Sequence, residues 1–131
     1  MRLYPPAWMF GRRALGEDFV GGYRLPAGSL VIVSPFFTHR IPALWPNPEG
    51  FDPERFAPEE ALKRPKYSYF PFGGGPRICI GNGFAMAEAQ AILATVTQRY
   101  RVDVLARDIP VEPMITLRPK GRMDAVLRPL A

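Results

Sequence analysis

The sequence predicts an α+β fold with one long helix, several short strands and a proline-rich meander. Three observations carry this. Apolar residues recur at helical spacing from Asn82 to Tyr100 and nowhere else over such a length. Short β-branched or aromatic runs, bounded by glycine and proline, lie on both sides of that segment. Sixteen prolines in 131 residues, more than twice the usual share of about 5 %, leave little room for further regular structure.

Taken in order, residues 1–10 read as a helix end followed by a proline-bounded extended segment. Residues 17–24 read as a strand, with Leu25–Gly28 as the turn after it. Ser29–Phe37 is the best-patterned strand, interrupted at Pro35. From Pro42 to Pro65 the chain carries six prolines between short polar pieces, which predicts an irregular meander with one helical turn near Glu59. Tyr67–Pro71 leads into a glycine-rich loop. In the helix, Met86, Ala89, Leu93, Val96 and Tyr100 share a face that Phe84, Ala85 and Ile92 widen. Glu88, Thr95, Gln98 and Arg99 leave only a narrow polar stripe, so the helix is expected to be mostly buried. Arg101–Leu105 reads as a strand, and Ile115–Leu117 with Met123–Leu127 as a hairpin turning at Pro119–Gly121.

Composition narrows the function. The net charge is +5, but the seventeen Lys and Arg residues are dispersed, without a run of five like charges. That argues against a nucleic-acid module. A solvated surface and a basic docking face for an acidic partner both remain open. No apolar stretch approaches the roughly 20 residues that span a bilayer. A single cysteine, Cys79, excludes an internal disulfide and a four-cysteine zinc site, and fits a reducing, cytoplasmic setting. His39, the only histidine, follows a strand in a Thr-His-Arg turn and reads as structural.

The chemistry concentrates in Phe72-Gly73-Gly74-Gly75-Pro76-Arg77-Ile78-Cys79-Ile80-Gly81. A lone thiol is either a small buried hydrophobe or a thiolate with a task. The glycines allow close backbone approach. The helix that follows offers free amides and a positive dipole end to the sulfur. Arg77 adds a planar fork for a carboxylate. Together they suit a flat, anionic, metal-bearing ligand.

The loop resembles the haem-binding loop of the cytochrome P-450 family, F-x-x-G-x-R-x-C-x-G, at every fixed position: Phe72, Gly75, Arg77, Cys79 and Gly81. Chance would produce this in on the order of one window in ten million. The remaining motifs follow in the family's order. Met1–Pro6 resembles the end of its E-x-x-R helix, Arg12–Gly28 its next strands and hairpin, and Phe51–Phe56 its P-E-R-F meander. Ile115–Lys120 resembles its last sheet. The resemblance implies the haem-proximal, C-terminal portion of a mostly helical fold. It divides the chain into a helix end, strands and hairpin (1–40), a meander (41–71), the haem-thiolate loop (72–81), a helix (82–100) and C-terminal strands (101–131).

Several roles are implied by this resemblance. Cys79 is the axial thiolate of haem b iron, the metal ligand and catalytic residue. Gly75 and Gly81 let amides approach the sulfur, and Phe72 packs on its side of the ring or is an ordinary core residue. Arg77 binds one propionate and Arg12 the other, with Arg13 as the register alternative. Ala7, Trp8 and Met9, followed by Phe10, line the substrate side, and a second contact falls near Ile109–Met114. Arg2 and Arg55 belong to a buried network with a glutamate, or else are two exposed arginines. The implied reaction inserts one atom of O₂ into a small apolar organic substrate. Its electrons come from NAD(P)H through an acidic redox partner, a ferredoxin or a flavoprotein reductase. A peroxygenase or a hydroperoxide isomerase on the same fold is the alternative. The chain is expected to be a C-terminal fragment, inactive in isolation, with any membrane anchor lying upstream. The reading also requires that the sulfur not face bulk solvent.

Overall fold

The computed structural model describes residues 1–106 and 108–130. They fall into two units, Met1–Pro71 and Phe72–Ala131.

The first unit carries β1 (Phe10–Arg13), β2 (Asp18–Val20), β3 (Tyr23–Leu25) and β4 (Leu30–Val33). β1 and β4 pair antiparallel, with Phe10 opposite Val33 and Arg13 opposite Leu30. Between them β2 and β3 form a hairpin, Val20 opposite Tyr23. Residues 17–24 are therefore two strands, not one. The break is Gly21-Gly22, at φ 57° and 84°. A two-residue hairpin turn needs positive φ at both central positions, and glycine adopts it without a Cβ penalty.

The expected strand Ser29–Phe37 is likewise shorter. Ser34 ends it by capping a helical turn, α1 (Pro35–Thr38), with Pro35 at its first position. The Ser34 hydroxyl accepts from the Phe37 amide and donates to the Trp8 carbonyl at 2.6 Å. Asp52 caps a 3-10 turn at Pro53–Phe56 in the same manner. The helical turn expected near Glu59 is α2 (Pro58–Lys63). No helix is found in residues 1–10.

All buried residues among those described lie in this unit: Arg2, Pro5, Pro35, His39, Trp45, Ser68 and Pro71. Trp45 donates its indole N–H to the Ser68 carbonyl at 3.2 Å. His39, Phe56 and Tyr69 surround it, with ring centroids 5.0–6.3 Å apart. The Arg64 guanidinium lies 5.1 Å from the Trp45 ring and 4.7 Å from Phe56, a cation–π arrangement.

The second unit holds a 3-10 turn at Gly75–Arg77, then α3 (Asn82–Thr97) and β5 (Tyr100–Val104). β6 (Val111–Pro113), β7 (Leu117–Pro119) and β8 (Ala125–Pro129) follow. β5 pairs with β8 and β6 with β7, both antiparallel. The hairpin expected between Ile115–Leu117 and Met123–Leu127 does not form: Leu117 pairs with Pro113, and Leu127 with Val102. The Lys120 amide bonds the Pro110 carbonyl at 2.8 Å, so the β6–β7 ladder runs through the place where the turn was expected.

Tyr100 belongs to β5, not to the helix. The Leu130 amide takes the Arg99 carbonyl at 2.9 Å and draws this stretch into the sheet. α3 contains no buried residue, against the expectation; Phe84 is 76 % exposed and Leu93 63 %. Its apolar side chains spread over most of its circumference, so no one-sided neighbour hides them. No helix among the described residues is long and apolar enough to cross a membrane.

Candidate functional site

The cysteine loop is closed by one backbone bond, the Cys79 amide to the Phe72 carbonyl at 3.0 Å. Inside it, Gly75 at φ 70° opens a single 3-10 turn that ends at Arg77. The Ile78 amide bonds back to the Gly75 carbonyl at 3.1 Å. Gly81 is the N-cap of α3 and has no side chain to satisfy the first-turn amides. The Asn82 amide turns back to the Cys79 carbonyl at 3.4 Å, which ties the cysteine to the positive end of the helix. A Cβ at Gly81 would lie 3.9 Å from the Cys79 sulfur, so the glycine keeps one side of that atom clear.

Cys79 is a free, exposed thiol. That removes the buried-hydrophobe reading. It also runs against the requirement that the sulfur not face bulk solvent, so the haem reading rests on the loop's pattern and not on burial. Ile78 and Ile80 are 50 % and 103 % exposed, and Phe84 is bare one turn into α3. Among the described residues the sulfur and its apolar neighbours are left largely open, a surface that water disfavours. Among the described residues no group of three or more His, Cys, Asp or Glu side chains offers a metal site, so Cys79 is the one donor of this loop. The donor set, the cleared side of the sulfur and the bare apolar surroundings fit haem.

Arg77 and Arg12 are exposed and fall in different units. No carboxylate among the described residues pairs with Arg77, Arg12 or Arg13. Arg12 stacks 4.7 Å from the Phe10 ring, which meets Phe70 edge-on at 6.2 Å. Strand alternation turns Arg13 to the other face. Trp8 is half-buried, while Ala7 and Met9 are exposed. Met114 and Ile115, at the β6–β7 turn, are exposed as well.

The two arginines of the expected network come together. Arg2 is buried, and its guanidinium donates to the carbonyls of His39 (2.9 Å), Pro48 (2.6 Å) and Gly50 (2.8 Å). Arg55 donates to the Asn47 carbonyl at 3.2 Å and lies 3.4 Å from the Asp52 carboxylate. Its buried Nε has no hydrogen-bond partner. The Arg2 pKa is lowered by burial and then by the nearby charges of Arg55 and Arg40. The exposed-arginine alternative therefore fails for Arg2. Carbonyls supply what a missing carboxylate would, a solution invisible in the sequence because the donors' partners are backbone atoms 37–48 residues away.

His39 is 0 % exposed, with both ring nitrogens engaged. Nε2 accepts from the Phe70 amide at 3.0 Å, and Nδ1 sits 3.3 Å from the Arg2 carbonyl. Those partners define the neutral tautomer with the proton on Nδ1. Burial pushes its pKa down to about 4, aided by Arg2, the N-terminal amine and Arg40 and opposed by the bond to the Arg2 backbone.

Residues 1–124 match the family model described as cytochrome P-450. Cyclooctatin synthase of Streptomyces melanosporofaciens is 43 % identical over 99 % of this chain and 27 % of its own length. Cytochrome P-450 4B1 of Rattus norvegicus is 40 % identical over 99 % of this chain and 26 % of its own. Among solved structures, retinoic acid-bound cyanobacterial CYP120A1 superposes with a TM-score of 0.92 at 34 % identity, over 98 % of this chain and 30 % of that one. The chain thus spans about a quarter of the length of the curated relatives it matches. With its loop, meander and sheets in the family's order and nearly all of its length matched, the chain belongs to the cytochrome P-450 family.

Proposed function

We propose that this chain is the haem-thiolate part of a cytochrome P-450 monooxygenase, with Cys79 as the axial ligand. The observation that carries the reading is the loop closed by the Phe72–Cys79 backbone bond, which delivers Cys79 to the N-terminal end of α3, in a chain whose residues 1–124 match the family model. When bound, haem b supplies activation of O₂ and insertion of one oxygen atom into an organic substrate, with electrons from NAD(P)H through a redox partner.

The chain's own residues hold and orient. As a thiolate the cysteine is a strong electron donor to iron. Arg77 and Arg12 take the propionates as bidentate donors. Arg12 is preferred to Arg13 because it shares a face of β1 with Phe10. Phe72 and Gly75 shape the sulfur side of the ring site. The Ser34–Trp8 bond pins Ala7–Met9, which meet an apolar substrate, in keeping with the retinoic acid held by CYP120A1. Arg2 and Arg55 form one network, closed by backbone carbonyls and by the Asp52 carboxylate beside Arg55 Nε. The excess positive charge suits an acidic redox partner.

A haemin titration of the chain, reduced under carbon monoxide, tests the reading. The thiolate-type red-shifted Soret band is expected, and Cys79→Ser should abolish it. An unchanged band in Cys79→Ser rejects Cys79 as the ligand. The bare surface of α3 favours a second reading, in which the 131-residue chain alone does not retain haem. Absence of any Soret shift on titration supports it.

A further inference from the structure

We propose that His39 is a positioning residue for the cysteine loop, holding the Phe70 amide at the loop's root. The inference rests on the haem-thiolate reading and extends it to a residue outside the loop. Phe70 lies in irregular backbone, so it has no ladder to hold it. Its amide is taken by His39 Nε2 at 3.0 Å, and its ring meets His39 at 5.4 Å and Phe10 at 6.2 Å.

His39 is itself immobilised. It caps α1 with its amide bonded to the Pro35 carbonyl at 2.8 Å, its Nδ1 is anchored at Arg2, and its own carbonyl accepts from the Arg2 guanidinium. From Phe70 the chain passes through Pro71, whose φ is locked by its ring. It then reaches Phe72, whose carbonyl closes the loop on the Cys79 amide. Two peptide bonds separate the held residue, Phe70, from Phe72, whose carbonyl closes the loop. The grip needs an acceptor at Nε2, not merely an aromatic ring. A core histidine with only a packing role would be replaceable by phenylalanine.

Two substitutions separate these roles. His39→Phe keeps the ring and removes the acceptor, whereas His39→Gln places a carbonyl oxygen where Nε2 lies. The readout is amide hydrogen exchange of the haem-free chain, followed at Phe70 and Cys79 by NMR. His39→Phe should accelerate both by about tenfold, the equivalent of one net hydrogen bond. His39→Gln should restore most of the protection. In the reduced carbon-monoxide spectrum, His39→Phe should lose part of the thiolate band and His39→Gln should recover it. Acceleration at Phe70 with Cys79 unchanged overturns the proposal, as does equal behaviour of the two variants. Should neither variant fold, denaturant-dependent exchange of the unmodified chain decides. One shared opening of Phe70 and Cys79 below the global unfolding free energy supports it, and separate openings overturn it. Because exchange requires no haem, a missing thiolate band in the unmodified chain would count against the haem reading alone.

Discussion

Acidification should destabilise residues 1–71 through a single imidazole. His39 is the only histidine, fully buried, with a pKa lowered from 6.5 to about 4. Between those values the unfolded chain holds a proton on this ring and the folded chain does not. Folding stability is therefore complete above pH 6.5, falls as pH drops through that window, and levels off below about pH 4. From pH 7 to pH 4.5 the loss is about 2.5 kcal/mol, obtained by integrating the two titrations. That is a large share of a typical domain stability of about 5–15 kcal/mol. Urea unfolding read by tryptophan fluorescence measures it, since Trp8 and Trp45 both lie in this unit. The lone histidine resonance reports the titration directly in the folded chain. The Asp103 carboxyl, held low chiefly by Arg128, lies in the other unit, and the N-terminal amine is lowered by burial and by Arg2. His39→Gln should flatten the pH profile. A resonance midpoint near 6.5, or an equal pH slope in His39→Gln, would refute the reasoning.

Three further outcomes follow from the same geometry. Arg2→Met should cost about 2–3 kcal/mol, because three carbonyls lose their donor while repulsion from Arg55 and Arg40 is relieved; a urea midpoint unchanged from the parent contradicts this. Gly81→Ala should cost the haem-free chain only about 0.5–1 kcal/mol as a poorer N-cap, and should weaken haemin uptake, since the new methyl stands in van der Waals contact with the sulfur. Undiminished uptake would show that the side Gly81 keeps clear is not the ligand side. Gly75→Ala meets no neighbouring atom but must hold φ 70°, so about 1 kcal/mol of strain is expected. Cys79 amide exchange should rise with it, and an unaltered rate argues that the loop tolerates a side chain there.

The helix, the meander and the cysteine loop were legible because their signals are local. Periodicity marked Asn82 onward, prolines marked the meander, and five residue types at fixed spacing marked the loop. What failed was pairing. Gly21-Gly22 carries a hairpin signal that the flanking Phe19, Val20 and Tyr23 outweighed. The partner of Leu127 was misread because β5 and β8 enclose β6 and β7, so adjacency in sequence misled. The arginine network was legible only through the family pattern. Three backbone carbonyls as the donors' partners, and a histidine clamp on Phe70, leave no compositional trace. The width of the apolar face of α3 was read correctly from the residues, but burial does not follow from apolarity when the covering surface is not part of the chain.

The two units differ in what holds them, and the candidate site lies in the less self-sufficient one. Residues 1–71 close around His39, Trp45 and Tyr69, with buried polar groups satisfied by backbone atoms. Residues 72–131 hold together by strand ladders, helix bonds and exposed ion pairs such as Arg101–Asp103. Exposed pairs of that kind contribute little to stability, and a ladder without buried apolar cover opens readily. A thiol placed there would wander unless something fixes the segment that delivers it. The Phe72–Cys79 bond fixes the loop to itself, and His39 holds the Phe70 amide just before it in the chain. The sulfur can then be both accessible and placed, two demands that a buried cysteine or a free surface cysteine would each meet only halfway.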